Sequence, residues 1–323
     1  MKGGSVRPKI AVAPSGRRDW LGEAILAGGG DLTALGDAEG LVWTDAAPTN
    51  DGDGAPDSFD GPAHLRKVLA ANPNIRWVQL PWAGVEPFAR AGILDHEHLW
   101  TCGKGVYAKP VAELSLALAL AGLRDLKRFA GARTWEEESG ISLIGGRVTI
   151  FGGGGVAGEL IRLLAPLDVA VTVVRRRPAP MEGTASVVGF DQRFEAIKSA
   201  DVIFLALALT PDTEGLIGEV EFELMAPHAW LVNVARGEHV LTEDLVIALR
   251  ENAIGGAALD VTDPEPLPDG HPLWSLPNCI ITPHVGNTEE MARPLLSERV
   301  TENVRRYAAG EPLIGLVDAS LGY

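Results

Sequence analysis

Three short stretches of the 323-residue chain each deliver a side chain capable of chemistry. Leu231-Val232-Asn233-Val234-Ala235-Arg236 reads as a strand that runs out into an arginine. Ala258-Leu259-Asp260-Val261 is a second strand, followed by Glu265 in the proline-stiffened loop Asp263-Pro264-Glu265-Pro266. Asn278-Cys279-Ile280-Ile281-Thr282-Pro283 is a third, and it delivers His284. An imidazole exchanges a proton near neutral pH, and a neighbouring carboxylate favours its charged form and fixes its tautomer. A guanidinium fork suits a planar carboxylate with a carbonyl oxygen beside it. Singly, Arg236 reads as a surface cation, Glu265 as a solvated loop charge and His284 as a cap. Together they follow successive strands, and in an open parallel sheet the carboxyl ends of neighbouring strands face one crevice. The pattern therefore predicts that Arg236, Glu265 and His284 converge.

The elements that must position them start from residues 148 to 158, Val148-Thr149-Ile150-Phe151-Gly152-Gly153-Gly154-Gly155-Val156-Ala157-Gly158. The β-branched and aromatic run through Phe151 reads as a buried strand, and Glu159 to Ala165 resumes as a helix former. Strand, glycine turn and helix are the parts that seat a dinucleotide pyrophosphate on a helix N-terminus. The fingerprint fits two frames, Gly152-x-Gly154-x-x-Ala157 and Gly153-x-Gly155-x-x-Gly158. The first is taken, because the sharp turn belongs at the strand end, and Gly152, Gly154, Gly155 and Val156 are the expected cofactor contacts. A second apolar strand, Val169 to Val174, is followed by Arg175-Arg176-Arg177-Pro178. Arg175 lies 23 positions after Gly152, close to the roughly 20-residue offset at which NAD enzymes carry an acid for the ribose hydroxyl. Arginine cannot accept that hydrogen bond and instead pairs with a 2′-phosphate. The expected cofactor is NADP(H), selected by Arg175 and Arg176, with NAD(H) as the second possibility.

The rest of the chain alternates strand and helix. Lys9 to Pro14 reads as a strand, Asp19 to Ala27 as a helix, and Leu32 to Leu35 and Leu41 to Trp43 as short strands. Residues 44 to 62, rich in Asp, Gly and Pro, read as a mobile loop. Ala63 to Ala71 reads as a helix and Ile75 to Leu80 as a strand, after which Ala83 and Gly84 are small enough to let a ligand approach the backbone. Lys109 to Ala130 carries a long helical pattern with Val111, Leu114, Leu116, Leu118, Leu120 and Leu123, apolar nearly all round and so expected to be buried. Asn287 and Glu290 resemble a capping box opening a last helix to about Tyr307. The architecture expected is α/β with two doubly wound domains. A Rossmann-type coenzyme domain spans 107–290, and a discontinuous, flavodoxin-like substrate domain spans 1–106 and 291–323.

Composition narrows the partners. The chain carries 28 basic and 43 acidic residues, a net charge of −15, which argues against nucleic acid and anionic membrane. The longest apolar stretch, Val111 to Leu123, contains Glu113 and falls short of a membrane span. Cys102 and Cys279 form no metal or redox spacing, and Asp95-His96-Glu97-His98 reads as a solvated turn, so no metal is expected. Met1 to Pro14 reads as a first strand and not a signal peptide, which makes the expected location cytoplasmic.

These residues, taken together, resemble the D-isomer-specific 2-hydroxyacid dehydrogenase family over nearly the whole chain. The resemblance rests on Trp82-Ala83-Gly84-Val85, Val111-Ala112-Glu113, the glycine fingerprint and Leu209-Thr210-Pro211-Asp212-Thr213. It continues through Val234-Ala235-Arg236-Gly237, Leu259-Asp260-Val261 with Glu265-Pro266, and Thr282-Pro283-His284. It implies that His284 is the acid/base with Glu265 as its partner, and that Arg236 binds the substrate carboxylate or carbonyl. It implies further that N–H groups near Ala83 and Gly84 receive the carboxylate, that Asp260 holds the nicotinamide carboxamide, and that Thr210, Thr213 and Val234 line the cofactor site. The activity implied is reduction of small 2-keto acids of the glyoxylate and hydroxypyruvate class to D-2-hydroxy acids. A homodimer is expected from the same resemblance.

Two features depart from the pattern: Ala206 and Ala208 stand where relatives often have His and Pro, and an arginine replaces the acid after the second nucleotide-binding strand. The chain's end at residue 323 leads to the expectation of a relative without the regulatory domain of the phosphoglycerate dehydrogenases. Trp135 is a candidate substrate lid. Rival readings are a D-lactate-type dehydrogenase with a larger apolar pocket and a dinucleotide-sensing protein akin to transcriptional corepressors.

Overall fold

The computed structural model describes residues 7–16, 18–44 and 61–319. Most of the loop expected over 44–62 lies outside the described residues. The chain divides into two compact units, one formed by its first 107 residues and the part from Glu289 onward, the other by Ala108–Thr288.

In the first unit the apolar run Lys9-Ile10-Ala11-Val12-Ala13 forms β1 (Lys9–Ala13), followed by α1 (Trp20–Ala27), β2 (Asp31–Leu32) and β3 (Gly40–Trp43). Then come α2 (Gly61–Ala71), β4 (Trp77–Gln79), α3 (Glu86–Arg90) and β5 (Leu99–Thr101). The strands pair in parallel in the order β2-β1-β3-β4-β5, the flavodoxin-like arrangement of a doubly wound sheet. Its core holds Trp43, Trp77, Ile10 and Leu41 with essentially no exposure. The strand expected over Leu32 to Leu35 is cut short. Only Asp31 and Leu32 pair with β1, and Leu35–Asp37 closes into a 3₁₀ turn through Asp37 N–H to Ala34 O and Ala38 N–H to Leu35 O.

The second unit opens with α4 (Ala108–Leu123) and α5 (Leu126–Gly131), then β6 (Arg147–Phe151), α6 (Gly155–Leu164) and β7 (Ala170–Val174). It continues through β8 (Ser186–Val188), α7 (Arg193–Lys198), β9 (Val202–Leu205), α8 (Glu219–Leu224), β10 (Trp230–Asn233) and α9 (Thr242–Arg250). It ends with β11 (Gly256–Leu259), α10 (Pro272–Ser275) and β12 (Cys279–Ile281). The seven strands are all parallel in the order β12-β11-β10-β9-β6-β7-β8, so the winding reverses between β6 and β9. Strands covered on both faces need apolar residues throughout rather than alternation. β9, β10 and β11 are buried at every position. Both doubly wound sheets match the sequence expectation. The short edge strand β8 had no periodic signal.

The single helix expected from Lys109 to Ala130 is two. Asp125 takes a left-handed conformation, φ +51°, and the Leu123 carbonyl accepts the N–H of Ile141 instead of continuing the helix. Nor is α4 buried all round. Ala112, Ser115, Leu118, Ala119, Gly122 and Leu123 are buried, whereas Val111, Leu114, Leu116 and Leu120 are partly exposed. After β12 the chain enters α11 (Glu289–Ala309), which packs against α1 in the first unit. Tyr307 stacks on Trp77 with ring centroids 5.2 Å apart, and Asn303 donates to the buried Gln79 side chain at 2.9 Å. The expected capping box does not form, since the Asn287 Oδ1 is buried without a hydrogen-bond partner. The preceding N–H groups of Val285 and Gly286 are committed to Asp260, which fixes the backbone one residue before the position a cap would need.

The contact between α4 and the sheet depends on Gly122. A Cβ there would lie 2.3 Å from Cε3 of Trp230 on β10. Replacing glycine by alanine inside a helix ordinarily stabilises by about 1 kcal/mol, but forcing atoms into a packed core costs about 1–3 kcal/mol. Gly122→Ala is therefore expected to destabilise the protein, read as a lower denaturant midpoint. An unchanged or raised midpoint would show that Trp230 repacks freely.

Candidate active site

The carboxyl edge of the seven-stranded sheet starts with the turn after β6. Gly152 has φ +110°, and a Cβ on it would stand 2.2 Å from the Ala206 carbonyl oxygen, so only glycine fits. Gly154 is the N-cap of α6 and supplies no side-chain cap. The N–H groups of Gly155, Val156 and Ala157 at the first turn of α6 have no helical partner and point out of the N-terminus. Ala157 is fully buried, while a Cβ on Gly158 would meet open space. The tight turn, the bare helix end and the close helix packing thus fall on Gly152, Gly154 and Ala157, the frame chosen from sequence. Arg175, half-buried after β7, folds over this turn: its Nε lies 2.9 Å from where a Gly153 Cβ would be. Arg176 is exposed.

On the other side of the switch, Thr210 and Thr213 close a loop after β9. Thr210 N–H donates to Thr213 Oγ1 at 2.8 Å, and that hydroxyl donates to Ala208 O at 3.0 Å. Val234, just beyond β10, is half-buried. Asn233 braces the arginine turn. Its Nδ2 donates to the Arg236 carbonyl at 2.8 Å and its Oδ1 accepts the Ala235 N–H at 3.0 Å. The Arg236 Nη1 donates to the Ala235 carbonyl at 2.7 Å.

His284 and Glu265 meet. The imidazole Nδ1 is 2.7 Å from Glu265 Oε1, and both side chains are partly open to solvent. With Nδ1–H donated to the carboxylate, Nε2 is the ring nitrogen left for chemistry. The hydrogen bond from Glu265 lifts the His284 pKa above the ordinary imidazole value, against burial and the Arg236 charge. Burial alone would raise Glu265; the hydrogen bond and charge of His284 outweigh it and hold the carboxyl below its ordinary range. Arg236 acts on both groups, lowering each.

Asp260 sits at the end of β11, nearly fully buried. Its Oδ1 accepts the Thr282 hydroxyl at 2.6 Å and the Val285 N–H at 2.9 Å, and its Oδ2 accepts the Gly286 N–H at 2.9 Å. The Asp260 carbonyl takes the His284 N–H at 2.9 Å. This aspartate holds the turn that carries His284, whose backbone is left-handed at φ +53°. A residue that sequence reasoning missed is His239. Fully buried, it faces the Thr213 carbonyl with Nδ1 at 2.8 Å and the Leu207 carbonyl with Nε2 at 3.4 Å, and burial lowers its pKa. It ties the threonine loop to the arginine turn, a pairing across 26 residues that no local pattern announces.

Ala83 and Gly84 belong to the first unit, in the turn that leaves β4. The carbonyls of this turn are all engaged: Pro81 by the Tyr107 hydroxyl, Trp82 by the Gly103 N–H at 2.6 Å, and Ala83 by the Cys102 thiol at 3.7 Å. The N–H groups of Ala83 and Gly84 have no partner among the described residues. Such a turn leaves two N–H groups free to donate. Among the described residues no group of three His, Cys, Asp or Glu could hold a metal, and no helix is long and apolar enough to cross a membrane.

A glycine turn opening a helix on a doubly wound parallel sheet, with a histidine–carboxylate pair beyond its carboxyl edge, is the arrangement found in nicotinamide-dependent oxidoreductases. Residues 114–286 match the model of the D-isomer specific 2-hydroxyacid dehydrogenase, NAD binding domain. The chain belongs to the D-isomer specific 2-hydroxyacid dehydrogenase family. It is 38% identical over 256 residues to an uncharacterised protein of Corynebacterium melassecola, covering 77% of this chain and 84% of that one. It is 32% identical over 258 residues to the human glyoxylate reductase/hydroxypyruvate reductase, covering 77% and 79%. Among solved structures it is similar to a D-isomer specific 2-hydroxyacid dehydrogenase from Xanthobacter autotrophicus Py2 in complex with NADPH and MES. That match has 25% identity, a TM-score of 0.82 and coverage of 98% of this chain and 100% of the other.

Asp260→Asn tests the turn. The amide removes one acceptor and turns an NH₂ toward groups that themselves donate. Losing a charge-assisted hydrogen bond costs about 1.5–3 kcal/mol, so the variant is expected to unfold at lower denaturant concentration by that amount. Unchanged stability would show that the turn holds without Asp260.

Proposed function

We propose that the protein reduces small 2-keto acids of the glyoxylate and hydroxypyruvate class to D-2-hydroxy acids, with NADPH as the preferred cofactor. The observation that carries this reading is the 2.7 Å His284–Glu265 pair with Arg236 acting on both. The bound cofactor supplies a hydride to the keto carbon. His284, protonated through its contact with Glu265, gives the Nε2 proton to the carbonyl oxygen and keeps Nδ1–H on the carboxylate. Arg236 grips the substrate carboxylate or carbonyl, and the open N–H groups of Ala83 and Gly84 receive the carboxylate. The unit holding these two residues is the substrate domain and the unit 108–288 the coenzyme domain. The bare N-terminus of α6 suits the pyrophosphate, and Thr210, Thr213 and Val234 line the cofactor. Asp260 Oδ2 accepts one N–H and keeps a lone pair for the nicotinamide carboxamide. The reading includes a cytoplasmic homodimer. Exposed Leu126, Trp135, Ile141 and Ile144 offer apolar surface for a second copy to cover.

Reduced-nicotinamide absorbance with a panel of 2-keto acids tests the activity and separates it from a cofactor sensor, which would turn nothing over. His284→Ala is expected to lose about 10²–10⁴ in turnover, the usual worth of general acid catalysis. Because the imidazolium is the proton donor, kcat/KM falls as pH rises through the raised His284 pKa. Glu265→Gln removes the group that raises it, so the fall should move to lower pH; an unmoved profile would reduce Glu265 to a loop charge.

Cofactor choice rests on Arg175, which lies over the glycine turn where an adenosine ribose would pass, and on its neighbour Arg176. An arginine pairs with a 2′-phosphate that an aspartate would repel. Arg175→Asp combined with Arg176→Ala should lower the NADPH-over-NADH ratio of kcat/KM roughly ten- to a hundredfold, the equivalent of about 1.5–3 kcal/mol for a charge-assisted pair. Equal use of both cofactors by the wild type, or no change in the double variant, would refute it.

A further inference from the structure

Two buried hydrogen-bond donors in the first unit, on side chains that stack, have no acceptor among the described residues. Arg18 stands in the turn between β1 and α1 with a left-handed backbone, φ +54°. Its guanidinium carbon lies 4.4 Å from the centroid of the Trp82 ring. One arm, Nη2, donates to Glu289 Oε2 at 2.7 Å, and the arginine side chain is 7% exposed. The other arm, Nη1, is buried and meets no acceptor among the described residues; the same is true of the Trp82 Nε1. Buried polar groups are nearly always paired, and a charged donor left unpaired is among the costliest exceptions. Two such donors on stacked side chains call for an oxygen that the described residues do not supply.

Their place in the fold says where that oxygen comes from. β1 is the strand at which the winding of the first sheet reverses, with β2 on one side and β3 on the other. Open α/β sheets take their ligands outside the carboxyl ends of the strands at such a reversal. Arg18 follows the carboxyl end of β1, and Trp82 directly precedes the open N–H groups of Ala83 and Gly84. Glu289 already balances the Arg18 charge, so the unmet donors suit a neutral oxygen, and a second carboxylate would stand close to the Glu289 anion.

We propose that Arg18 and Trp82 form a specificity subsite for a hydroxyl on the carbon beyond the keto group, favouring 3-hydroxy-2-keto acids over glyoxylate, which carries no such oxygen. This inference rests on the keto-acid reductase reading above.

The test is the ratio of kcat/KM for hydroxypyruvate to that for glyoxylate, with oxaloacetate as a dicarboxylic control. Trp82→Phe keeps a smaller aromatic ring beneath the guanidinium and removes the indole N–H; the ratio should fall about tenfold, as for one lost hydrogen bond. Arg18→Met should lower it further, with thermal unfolding recorded to confirm that the variant folds. Both substrates falling in proportion, or an unchanged ratio in Trp82→Phe, would overturn the subsite and leave the pair a packing contact. A wild-type preference for oxaloacetate that Arg18→Met abolishes would overturn the hydroxyl assignment in favour of a carboxylate. A wild type that reduces none of the three overturns the reductase reading itself, and so is told apart from failure of the subsite alone.

Discussion

Much of the candidate chemistry hangs on one buried carboxylate. Asp260 gathers a hydroxyl and two N–H groups from residues 282–286 while its own carbonyl holds the N–H of His284. The left-handed backbone at His284 is a conformation that a non-glycine residue keeps only where its surroundings enforce it. The bonds to Asp260 are that enforcement. They aim the imidazole so that Nδ1 reaches Glu265, and the hydrogen bond then sets the proton affinity of the ring. Removing Asp260 would therefore disturb an imidazole to which its side chain makes no hydrogen bond.

Rigid support of this kind recurs along the sheet edge. Asn233 folds back on the Ala235–Arg236 turn, and His239 bridges that turn to the loop closed by Thr210 and Thr213. In each case a buried polar side chain satisfies backbone groups of a loop that has no ladder of its own. The result is a set of candidate side chains beyond the strand ends, with the loops that carry them held by buried polar neighbours.

The fold was legible because buried parallel strands leave an unmistakable trace. Val148 to Phe151, Val202 to Leu205 and Trp230 to Val232 are apolar runs of strand length bounded by polar or small residues, and the glycine turn marks where the winding begins. Arg236, Glu265 and His284 stood out because each follows such a run, Glu265 in the proline-stiffened loop beyond it. What escaped was set by distant partners. The break between α4 and α5 depends on Ile141 taking the Leu123 carbonyl. The tie-back of the Pro81, Trp82 and Ala83 carbonyls, next to N–H groups that the sequence did single out, depends on Tyr107, Gly103 and Cys102. The Asn287–Glu290 pattern promised a cap, yet the backbone ahead of it was already claimed by Asp260. Local spacing cannot register competition of that sort.

The strand order of the second sheet separates two properties that usually change together. Arg175 follows β7, on one side of β6, whereas Arg236, Glu265 and His284 follow β10, β11 and β12 on the other. No strand contributes to both groups, and the hydrogen bonds that position His284 and Arg236 lie within the β9–β12 half. On the proposed reading, descendants of this chain would change their electron donor by altering the corner after β7 alone, with the groups that follow β10, β11 and β12 left as they are.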